Sequence, residues 1–404
     1  MKGGHVAITG LGVRSAAGHT PPEFWQTLLR ARPTARLHAF DDARSVQHAA
    51  CAIIDFAPDG YLTPKEARRT DRSSQMALCA ATDAIRDAGG LAAPPRRRAV
   101  VTGTGYGGVI SQEDGLGNPG SLYAPLLMHN AGAYWITARH SITGPSLTVS
   151  TACASGTHAI GEGMQLIRSG AADVVVAGGH DAPLTATTAL AFARARAMAG
   201  GYDDPSTASR PFDADRLGFV LGEGAAFLVM ERLDAARVRG ARVYALLTGY
   251  GRTSDGYHLT APHPDGAGAR ACIEQALADA GTAPDSVVHV NAHGTGTELN
   301  DLAEARALAA VFGPGRVAVT APKGVLGHAL GAAGALEAVA TVLSVAEGLA
   351  PPTANLTRPD ARCEIDVVTG EPRKLGAGPV ISNSFAFGGH NACLVFAEAG
   401  ADEL

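Results

Sequence analysis

The sequence predicts an α/β protein made of two similar halves, and three observations support this prediction. Short runs of β-branched and other apolar residues alternate with longer alanine-rich stretches, which is typical of sheets covered by helices on both faces. Several motifs occur twice, in the same order. Of the 404 residues, 46% are hydrophobic and 18% are charged, so the chain has enough apolar residues for a large buried core.

Five apolar runs predict buried strands. In chain order they are residues 6–9, 99–102, 147–150, 174–177 and 287–290. Two alanine-rich stretches predict helices over residues 73–88 and 267–280, and an Asp-Ala-Gly sequence closes each of them.

Three pairs of repeated motifs suggest that the chain is internally duplicated. Residues 9–12 match 248–251, residues 87–105 match 279–296, and residues 142–163 match 311–333, which aligns His158 with His328. We predict an N-terminal half of residues 1–238 and a C-terminal half of residues 239–404. The two members of the first pair are farther apart in the sequence than those of the other two pairs, which predicts an insertion in the N-terminal half at about residues 19–70. A general bias toward glycine and alanine is the alternative explanation.

Composition and charge argue against several classes of function. The net charge is −5 and there is no basic run, so neither nucleic acid nor an anionic membrane is expected as the main partner. No stretch reaches the roughly 20 consecutive apolar residues of a membrane helix. The six cysteines form no CxxC pair and follow no signal-peptide pattern, which predicts a cytoplasmic protein. The histidines lack metal-ligand spacing, so no metal is expected.

Cys153 is the candidate nucleophile. It follows the strand predicted near residues 147–150 and precedes a helix-like stretch, so we expect it at a helix N-terminus. The partial positive charge of that end stabilises a thiolate and predicts a lowered pKa. The neighbouring N–H groups are able to bind an oxyanion. An inert buried cysteine is the alternative.

His293, His328 and Lys323 form a candidate polar cluster with Cys153. His293 ends an apolar run and enters a Gly-Thr-Gly-Thr loop, and His328 lies in a stretch of small residues. Lys323 is one of only four lysines, against 29 arginines, which indicates that a compact ammonium group is needed at this position. Each histidine taken alone is consistent with a satisfied core residue.

Four motifs in order carry a resemblance to a known family. They are VSTACASG at 149–156, NAHGTGT at 291–297, Lys323 with Gly327-His328 and GAAG at 331–334, and NSFAFGG at 383–389. Over nearly the whole chain the sequence closely resembles the β-ketoacyl-acyl carrier protein synthases, in particular the elongating Cys-His-His type of fatty acid and type II polyketide synthesis. The resemblance implies the thiolase fold, a duplicated five-layered αβαβα arrangement with two mixed five-stranded sheets.

The resemblance also implies a mechanism. Cys153 accepts an acyl group from the phosphopantetheine thioester of an acyl carrier protein. His293 and His328 then stabilise the enolate that forms as malonyl-carrier loses CO₂. The carbanion attacks the acyl-enzyme, whose oxyanion is held by the N–H groups of Cys153 and Phe385. No metal or diffusible cofactor is required.

Further roles follow from the resemblance. Lys323, Glu337 and Asp301 fix the histidines and the local charge. Phe385, with Phe387 in the same loop, gates access of the malonyl substrate. The remaining expectations concern binding surfaces: carrier docking by Lys65, Arg68 and Arg69, and a pocket floor that includes Met128, Tyr134 and Trp135. The implied partners are an acyl carrier protein and a second subunit, either identical or a chain-length-factor-like paralogue.

Three other functions stay open at this point. A non-decarboxylating thiolase needs a second cysteine as base, and neither Cys363 nor Cys393 has the expected Cys-x-Gly setting. A starter-condensing synthase pairs its cysteine with His and Asn instead of two histidines. A non-catalytic chain-length factor typically lacks the cysteine that is present here at position 153.

Overall fold

A computed structural model describes residues 5–40 and 47–400 of the chain. The strands are β1 (Val6–Ser15), β2 (Arg36–Ala39), β3 (Gln47–Cys51), β4 (Arg98–Gly103), β5 (Ser146–Val149), β6 (Val174–Asp181), β7 (Leu221–Gly222), β8 (Gly224–Arg232), β9 (Ala245–Ser254), β10 (His289–Asn291), β11 (Ala318–Thr320), β12 (Leu349–Ala350), β13 (Asp366–Val367), β14 (Arg373–Lys374), β15 (Val380–Ala386) and β16 (His390–Ala397).

The helices alternate with these strands. They are α1 (Pro21–Leu29), α2 (Pro64–Ala67), α3 (Arg72–Asp87), α4 (Val109–Asp114), α5 (Tyr123–Leu127), α6 (Ala131–His140), α7 (Ser155–Arg168), α8 (Ala186–Arg194), α9 (Leu233–Val238), α10 (Ala267–Ala280), α11 (Glu298–Phe312), α12 (Lys323–Leu326) and α13 (Ala333–Glu347). Short 3₁₀ turns at Ala152–Ala154 and Leu330–Ala332 lead directly into α7 and α13.

Ten strands form two mixed sheets with the same topology. The order is β5-β4-β6-β8-β1 in the N-terminal half and β11-β10-β15-β16-β9 in the C-terminal half. In each sheet the first three strands are parallel and the last two are antiparallel to their neighbours. This identity of order and direction confirms the predicted duplication.

The two sheets are joined, which the prediction of two separate sheets did not anticipate. β1 and β9 pair antiparallel over residues 6–8 and 245–247, and the short strand β13 adds to the edge at β11. The described residues therefore contain one continuous sheet of 11 strands in which the two predicted five-stranded sheets are recognisable.

Three apolar layers alternate with the sheets. Met164 of α7 and Val339 of α13 belong to the buried cluster between them. Leu78 of α3 belongs to a second cluster on the outer face of the N-terminal sheet, and Ile273 of α10 to a third on the outer face of the C-terminal sheet. The arrangement is therefore helix, sheet, helix, sheet, helix, as predicted.

Glycines in the first strand of each half explain one of the repeated motifs. A Cβ at Gly12 in β1 would lie 2.0 Å from the carbonyl oxygen of Ala80 in α3. A Cβ at Gly251 in β9 would lie 2.1 Å from the carbonyl oxygen of Cys272 in α10. Both glycines are needed because a helix backbone crosses the strand too closely for any side chain.

The structure corrects the alignment of the third repeat. His158 lies inside α7, whereas His328 lies before the 3₁₀ turn that leads into α13. The equivalent residues are those of the two 3₁₀ turns, in which Ala152 (φ 49°) corresponds to Leu330 (φ 47°). Cys153 is therefore the counterpart of Gly331, and the alignment of His158 with His328 is wrong.

The insertion predicted at about residues 19–70 contains α1, β2, β3 and α2, which have no counterpart between β9 and α10. The predicted boundary between residues 238 and 239 lies directly after α9. The stretch 330–347, which includes α13, is apolar and long enough to cross a membrane, but it is buried inside the protein as a core helix.

Candidate active site

A cavity of about 440 Å³ lies where the two halves meet. Cys153 from the N-terminal half and His293 and His328 from the C-terminal half all line it. The structure thus brings the predicted nucleophile and both predicted histidines together.

A strained turn presents Cys153 to the cavity. The chain leaves β5, passes through Ala152 in a left-handed conformation and enters the 3₁₀ turn that precedes α7. The Ser155 hydroxyl donates to the Ala152 carbonyl at 2.6 Å and accepts from the Thr151 N–H at 2.9 Å. These two bonds hold the turn, so the predicted position near a helix N-terminus is confirmed.

The prediction of a lowered pKa for Cys153 is wrong. Burial raises the pKa of the Cys153 thiol to about 12. The Lys323 ammonium and the backbone hydrogen bonds from Phe387 and Cys153 act in the opposite direction, and Asp181 acts in the same direction as burial. Apolar neighbours including Phe219 and Leu330 exclude the water that a thiolate would need.

His293 is fixed through both its backbone and its ring. The Glu304 carboxylate accepts from the N–H groups of His293 and Gly294, each at 2.8 Å. The Lys323 ammonium donates to the His293 carbonyl at 2.5 Å and contacts ring Nδ1 at 3.1 Å. Since an ammonium group only donates, Nδ1 is the acceptor and the ring proton is on Nε2.

Lys323 and Glu337 form a buried ion pair behind His293. Burial raises the pKa of Glu337 to about 7, and Lys323 opposes that rise. Burial, aided by Lys323, also holds the pKa of His293 and His328 well below the usual value. Both histidines are therefore neutral at pH 7.

His328 is anchored by its backbone to the N-terminal half. Its N–H donates to the Val220 carbonyl at 2.7 Å, and its carbonyl accepts from the Gly222 N–H at 3.0 Å. Its ring packs edge-on against His293, with centroids 5.4 Å apart, and against Phe219 at 5.3 Å. The two histidine rings thus share one wall of the cavity.

Asp301 stabilises the histidine loop at a distance from the rings. It accepts from the N–H groups of Phe212 at 2.8 Å and Gly296 at 3.2 Å, and it contacts Arg216 at 3.4 Å. The carboxylate that directly holds the backbone of His293 is Glu304, which the sequence analysis missed. Glu304 lies 11 residues beyond His293 in a helix that the sequence analysis did not predict.

The assignment of an oxyanion donor to Phe385 requires correction. The backbone hydrogen bonds that act on the Cys153 sulfur come from Phe387 and from Cys153 itself. Phe385 lies in β15, and its buried ring packs against His293 at 6.1 Å. Phe387 lies beyond the strand end, its ring is only half-buried, and Gly388 and Gly389 follow it at φ 82° and 72°.

The sequence analysis also missed residues around the sulfur. Burial raises the pKa of Tyr106, and the nearby Asp181 and Cys153 act in the same direction. The Tyr106 ring is 6.4 Å from that of Phe192, which in turn contacts Phe219 and Phe387. The rings of Phe192, Phe219 and Phe387 line the cavity beside Cys153. The only sequence signal was the glycine-rich stretch around Tyr106.

The residues predicted for carrier docking are on the surface. Lys65, Arg68 and Arg69 are all exposed, at or just beyond the four-residue helix α2. Within the described ranges, none of the three has an ion pair.

The residues predicted for the pocket floor do not line the cavity of their own chain. Met128 and Tyr134 are exposed, and Trp135 is half-buried against the outer apolar cluster. Tyr134 and Trp135 belong to α6, which packs beside β5, an edge strand with Leu147 exposed. The three residues therefore do not form a floor beneath Cys153 of their own chain.

The second cysteine that a thiolase needs is absent from the cavity. Cys393 is buried in β16, and the Cys363 sulfur faces the Asp301 carbonyl at 3.9 Å. Neither lines the cavity.

Family profiles match most of the chain. The profile described as "Beta-ketoacyl synthase, N-terminal domain" matches residues 4–236, and the one described as "Beta-ketoacyl synthase, C-terminal domain" matches residues 244–357. Similar curated proteins include the 3-oxoacyl-[acyl-carrier-protein] synthase 2 of Synechocystis sp., 40% identical over 97% of both chains. That of Coxiella burnetii is 39% identical over 98% of this chain and 99% of the relative.

Solved structures of similar proteins agree. The ishigamide ketosynthase/chain length factor is 35% identical, with a TM-score of 0.90. A beta-ketoacyl synthase from Burkholderia phymatum is 33% identical, and a type II polyketide ketosynthase in complex with its acyl carrier protein is 27% identical, both also with a TM-score of 0.90. Each match covers 98% of this chain and the whole of the other.

Proposed function

The chain belongs to the β-ketoacyl synthase family, and on this basis we propose how its residues divide the reaction. It is an acyltransferase that condenses an acyl-enzyme thioester with malonyl-acyl carrier protein and extends a fatty acid or polyketide by two carbons. The observation that carries the assignment is the single cavity shared by Cys153, His293 and His328.

The first half-reaction loads the enzyme. The Cys153 sulfur attacks the thioester carbonyl of the acyl-carrier, the thiol proton passes to a neutral histidine of the cavity, and the carrier leaves as a thiol once it takes up that proton. The N–H groups of Cys153 and Phe387 stabilise the tetrahedral oxyanion. A protonated thiol at rest fits this scheme because neutral His328 is available as the base, whereas His293 carries its proton on Nε2 and accepts from Lys323 through Nδ1.

The second half-reaction makes the carbon–carbon bond. Nε2–H of His293, together with His328, donates to the thioester carbonyl of malonyl-carrier as the bond to CO₂ breaks. The enolate attacks the Cys153 thioester, and the cysteine sulfur leaves and takes up one proton. The products are CO₂, β-ketoacyl-carrier and free Cys153. The balanced reaction needs neither a metal ion nor a redox cofactor.

Lys323 sets the direction of the His293 hydrogen bond. Its ammonium donates a hydrogen bond to Nδ1 of His293, and the ring proton therefore stays on Nε2, toward the cavity. Glu337 neutralises this buried ammonium. Lys323 and Glu337 are therefore positioning residues, because neither lines the cavity.

Phe387 gates access to the thiol. Its backbone contacts the sulfur while its ring lies at the cavity wall against Phe192. Two glycines with positive φ follow it, which supports movement of this loop. Phe385 is a poor candidate because its ring is buried beside His293.

An acyl carrier protein docks on exposed cations. Lys65, Arg68 and Arg69 provide positive charge on a chain that is acidic overall. Arg196 adds an exposed cation at the cavity itself. Carrier docking by these groups is an electrostatic attraction that weakens with salt.

The second subunit packs against the β5 edge, where Leu116, Leu147, Met128 and Tyr134 are exposed. An unpaired edge strand beside apolar side chains favours association. The partner is either an identical chain or a chain-length-factor-like paralogue. Residence in the cytoplasm is supported by the six cysteines, all of which are free thiols.

Acyl trapping tests the assignment. We expect the chain mixed with acyl-carrier to gain the mass of one acyl group on the Cys153 peptide, and to release CO₂ from malonyl-carrier. Cys153→Ala should lose the acyl group and condensation while retaining decarboxylation, because the histidines act on the malonyl carbonyl. Cys363→Ala is the matched control and should behave like the parent.

Two results would contradict the assignment. Acylation that persists in Cys153→Ala would exclude Cys153 as the nucleophile. A chain that neither takes up an acyl group nor decarboxylates malonyl-carrier would be a non-catalytic partner subunit instead.

A further inference from the structure

Asp181 is a fully buried carboxylate beside the active site that the mechanism above does not use. It ends β6 and accepts four hydrogen bonds, none of them from a charged group. Oδ1 accepts from the Thr104 hydroxyl at 2.6 Å and the Tyr106 N–H at 3.1 Å. Oδ2 accepts from the N–H groups of Gly105 at 2.8 Å and Gly331 at 2.7 Å.

These bonds join the two halves of the molecule. Thr104, Gly105 and Tyr106 follow β4 in the N-terminal half, whereas Gly331 belongs to the 3₁₀ turn of the C-terminal half. A Cβ at Gly331 would lie 2.4 Å from the Gly105 nitrogen and 2.6 Å from Asp181 Oδ2. The two glycine backbones therefore meet at one carboxylate oxygen, with no space for a side chain.

The internal duplication gives this contact a counterpart at the nucleophile. Asp181 ends β6 and Ala386 ends β15, the equivalent strand. The residue after Ala386 is Phe387, whose backbone reaches Cys153. At the equivalent end of β6 in the N-terminal half, the Asp181 carboxylate accepts from the N–H of Gly331, which is the counterpart of Cys153. Each half thus uses a strand end to hold the 3₁₀ turn of the other half.

The turn held by Asp181 controls the placement of His328. Leu330, between His328 and Gly331, has φ 47°, a strained conformation for a branched residue. Leu330 also lines the cavity with Cys153 and His328. The bond from Gly331 to Asp181 lies directly after this strained residue and opposes its relaxation.

We propose that Asp181 is a positioning residue that holds the 328–331 turn against the loop after β4, and so keeps His328 in register with Cys153. This inference rests on the proposed function. Four uncharged donors converge on the carboxylate, and these hydrogen bonds offset the cost of burying it.

The test compares Asp181→Ala with Asp181→Asn. Alanine leaves three backbone N–H groups without an acceptor. Asparagine keeps a carbonyl oxygen for the N–H groups of Gly105 and Gly331 and donates its NH₂ to the Thr104 hydroxyl, so of the three backbone N–H groups only that of Tyr106 loses its acceptor. We expect kcat for malonyl-carrier decarboxylation to fall at least tenfold in Asp181→Ala with KM within twofold, and to recover to within threefold in Asp181→Asn.

Asp71→Ala is the matched control. Asp71 is also buried, and it accepts hydrogen bonds from two N–H groups and a hydroxyl, but these belong to Ser73 and Ser111 and not to the 328–331 turn. We expect it to lower stability without lowering kcat. Hydrogen exchange of residues 328–334 should accelerate in Asp181→Ala but not in Asp71→Ala, and this measurement does not depend on enzymatic activity.

Unchanged exchange of residues 328–334, or unchanged kcat with faster exchange, would overturn the proposal. An inactive parent chain would refute the proposed function while the exchange experiment still tested the contact. If Asp181→Ala does not fold, Gly331→Ala disrupts the same contact from the other side, and a kcat within threefold of the parent would overturn the proposal.

Discussion

Four residues with side chains adopt left-handed backbone conformations beside the cavity. They are Ala152, Arg196, Phe212 and Leu330, at φ 49°, 55°, 61° and 47°. Each costs on the order of 1–2 kcal/mol and persists only where its surroundings compensate. Hydrogen bonds supply that compensation, from Ser155 to Ala152, from Arg196 to Ala193, from Phe212 to Asp301 and from Gly331 to Asp181. The strain is therefore concentrated where the two halves form the site.

The sequence identified the four central side chains and Glu337, the ion-pair partner of Lys323, but it missed other residues that support them. Cys153, His293, His328 and Lys323 stand in motifs with unusual local composition, and the structure brings them together. Glu304 and Asp181 act on backbone N–H groups, so no side-chain motif marks them. Phe387 rather than Phe385 directs its backbone toward the Cys153 sulfur, and the local sequence does not specify that direction.

The raised pKa of Cys153 predicts a pH profile for its alkylation. Below a pKa of about 12, the thiolate fraction rises tenfold per pH unit, so inactivation by iodoacetamide should accelerate tenfold per unit from pH 7 to 9.5 without a plateau. Lys323→Met should slow the reaction at every pH, because the ammonium lowers this pKa. A plateau near pH 7 in the parent chain would instead indicate a resting thiolate.

At the scale of elements, periodicity located the helices better than the strand ends. α10 spans the predicted residues 267–280, and α3 begins and ends one residue earlier than predicted. β10 begins at His289 rather than Val287, because a 3₁₀ turn at Pro284–Ser286 precedes it and pairing with β11 and β15 starts only there. Strand limits depend on such distant partners, which the local sequence does not specify.

The close contact between β1 and α3 predicts a large cost for a small substitution. Gly12→Ala should destabilise the protein by about 1–3 kcal/mol, the usual range for overpacking, because its Cβ would overlap the Ala80 carbonyl. Chemical unfolding measures the effect. Gly200→Ala is the control, since a Cβ there meets no atom within 4 Å. Equal stability of the two variants would show that α3 moves away without cost.

At the scale of the whole molecule, the duplication was predictable but its register was not. Repeated glycines and helix ends survive in both halves because they serve the same close contacts. The turn that carries the nucleophile is not repeated in sequence, because the residue equivalent to Cys153 in the C-terminal half is Gly331. Only one half needs a nucleophile, so the sequences diverged at the positions where they would have been most informative.

Subunit association should depend on the face beside β5. Tyr134 is 61% exposed there. Tyr134→Arg places a charge among apolar side chains and should shift the protein toward monomers in analytical ultracentrifugation. Val238→Arg, at a residue that is 91% exposed and remote from this face, is the control and should leave the assembly unchanged. Equal behaviour of the two variants would exclude this face as the interface.

Buried histidines dominate the titration of the folded chain between pH 5 and 6.5. Burial lowers the pKa of seven of them, which are His38, His140, His158, His180, His289, His293 and His328. Burial acts in the opposite direction on Asp181, at about 6, and on Glu304 and Glu337, at about 7. Since the histidines outnumber these acids, the unfolded chain binds more protons than the folded chain over this range.

The free energy of unfolding should therefore fall as the pH decreases from 6.5 to 5, by about 1.4 kcal/mol per pH unit for each excess proton. Stability from the neutral histidines is complete above their unfolded pKa of 6.5 and is lost below it, whereas the three acids contribute in the opposite direction. His289, with a pKa of about 3, bonds only to Thr320 and lies outside the cavity. His289→Gln should reduce the slope by about one proton in urea unfolding at pH 5.0, 5.5, 6.0 and 6.5. A stability that is constant or rises toward pH 5 would mean that the buried acids outweigh the histidines.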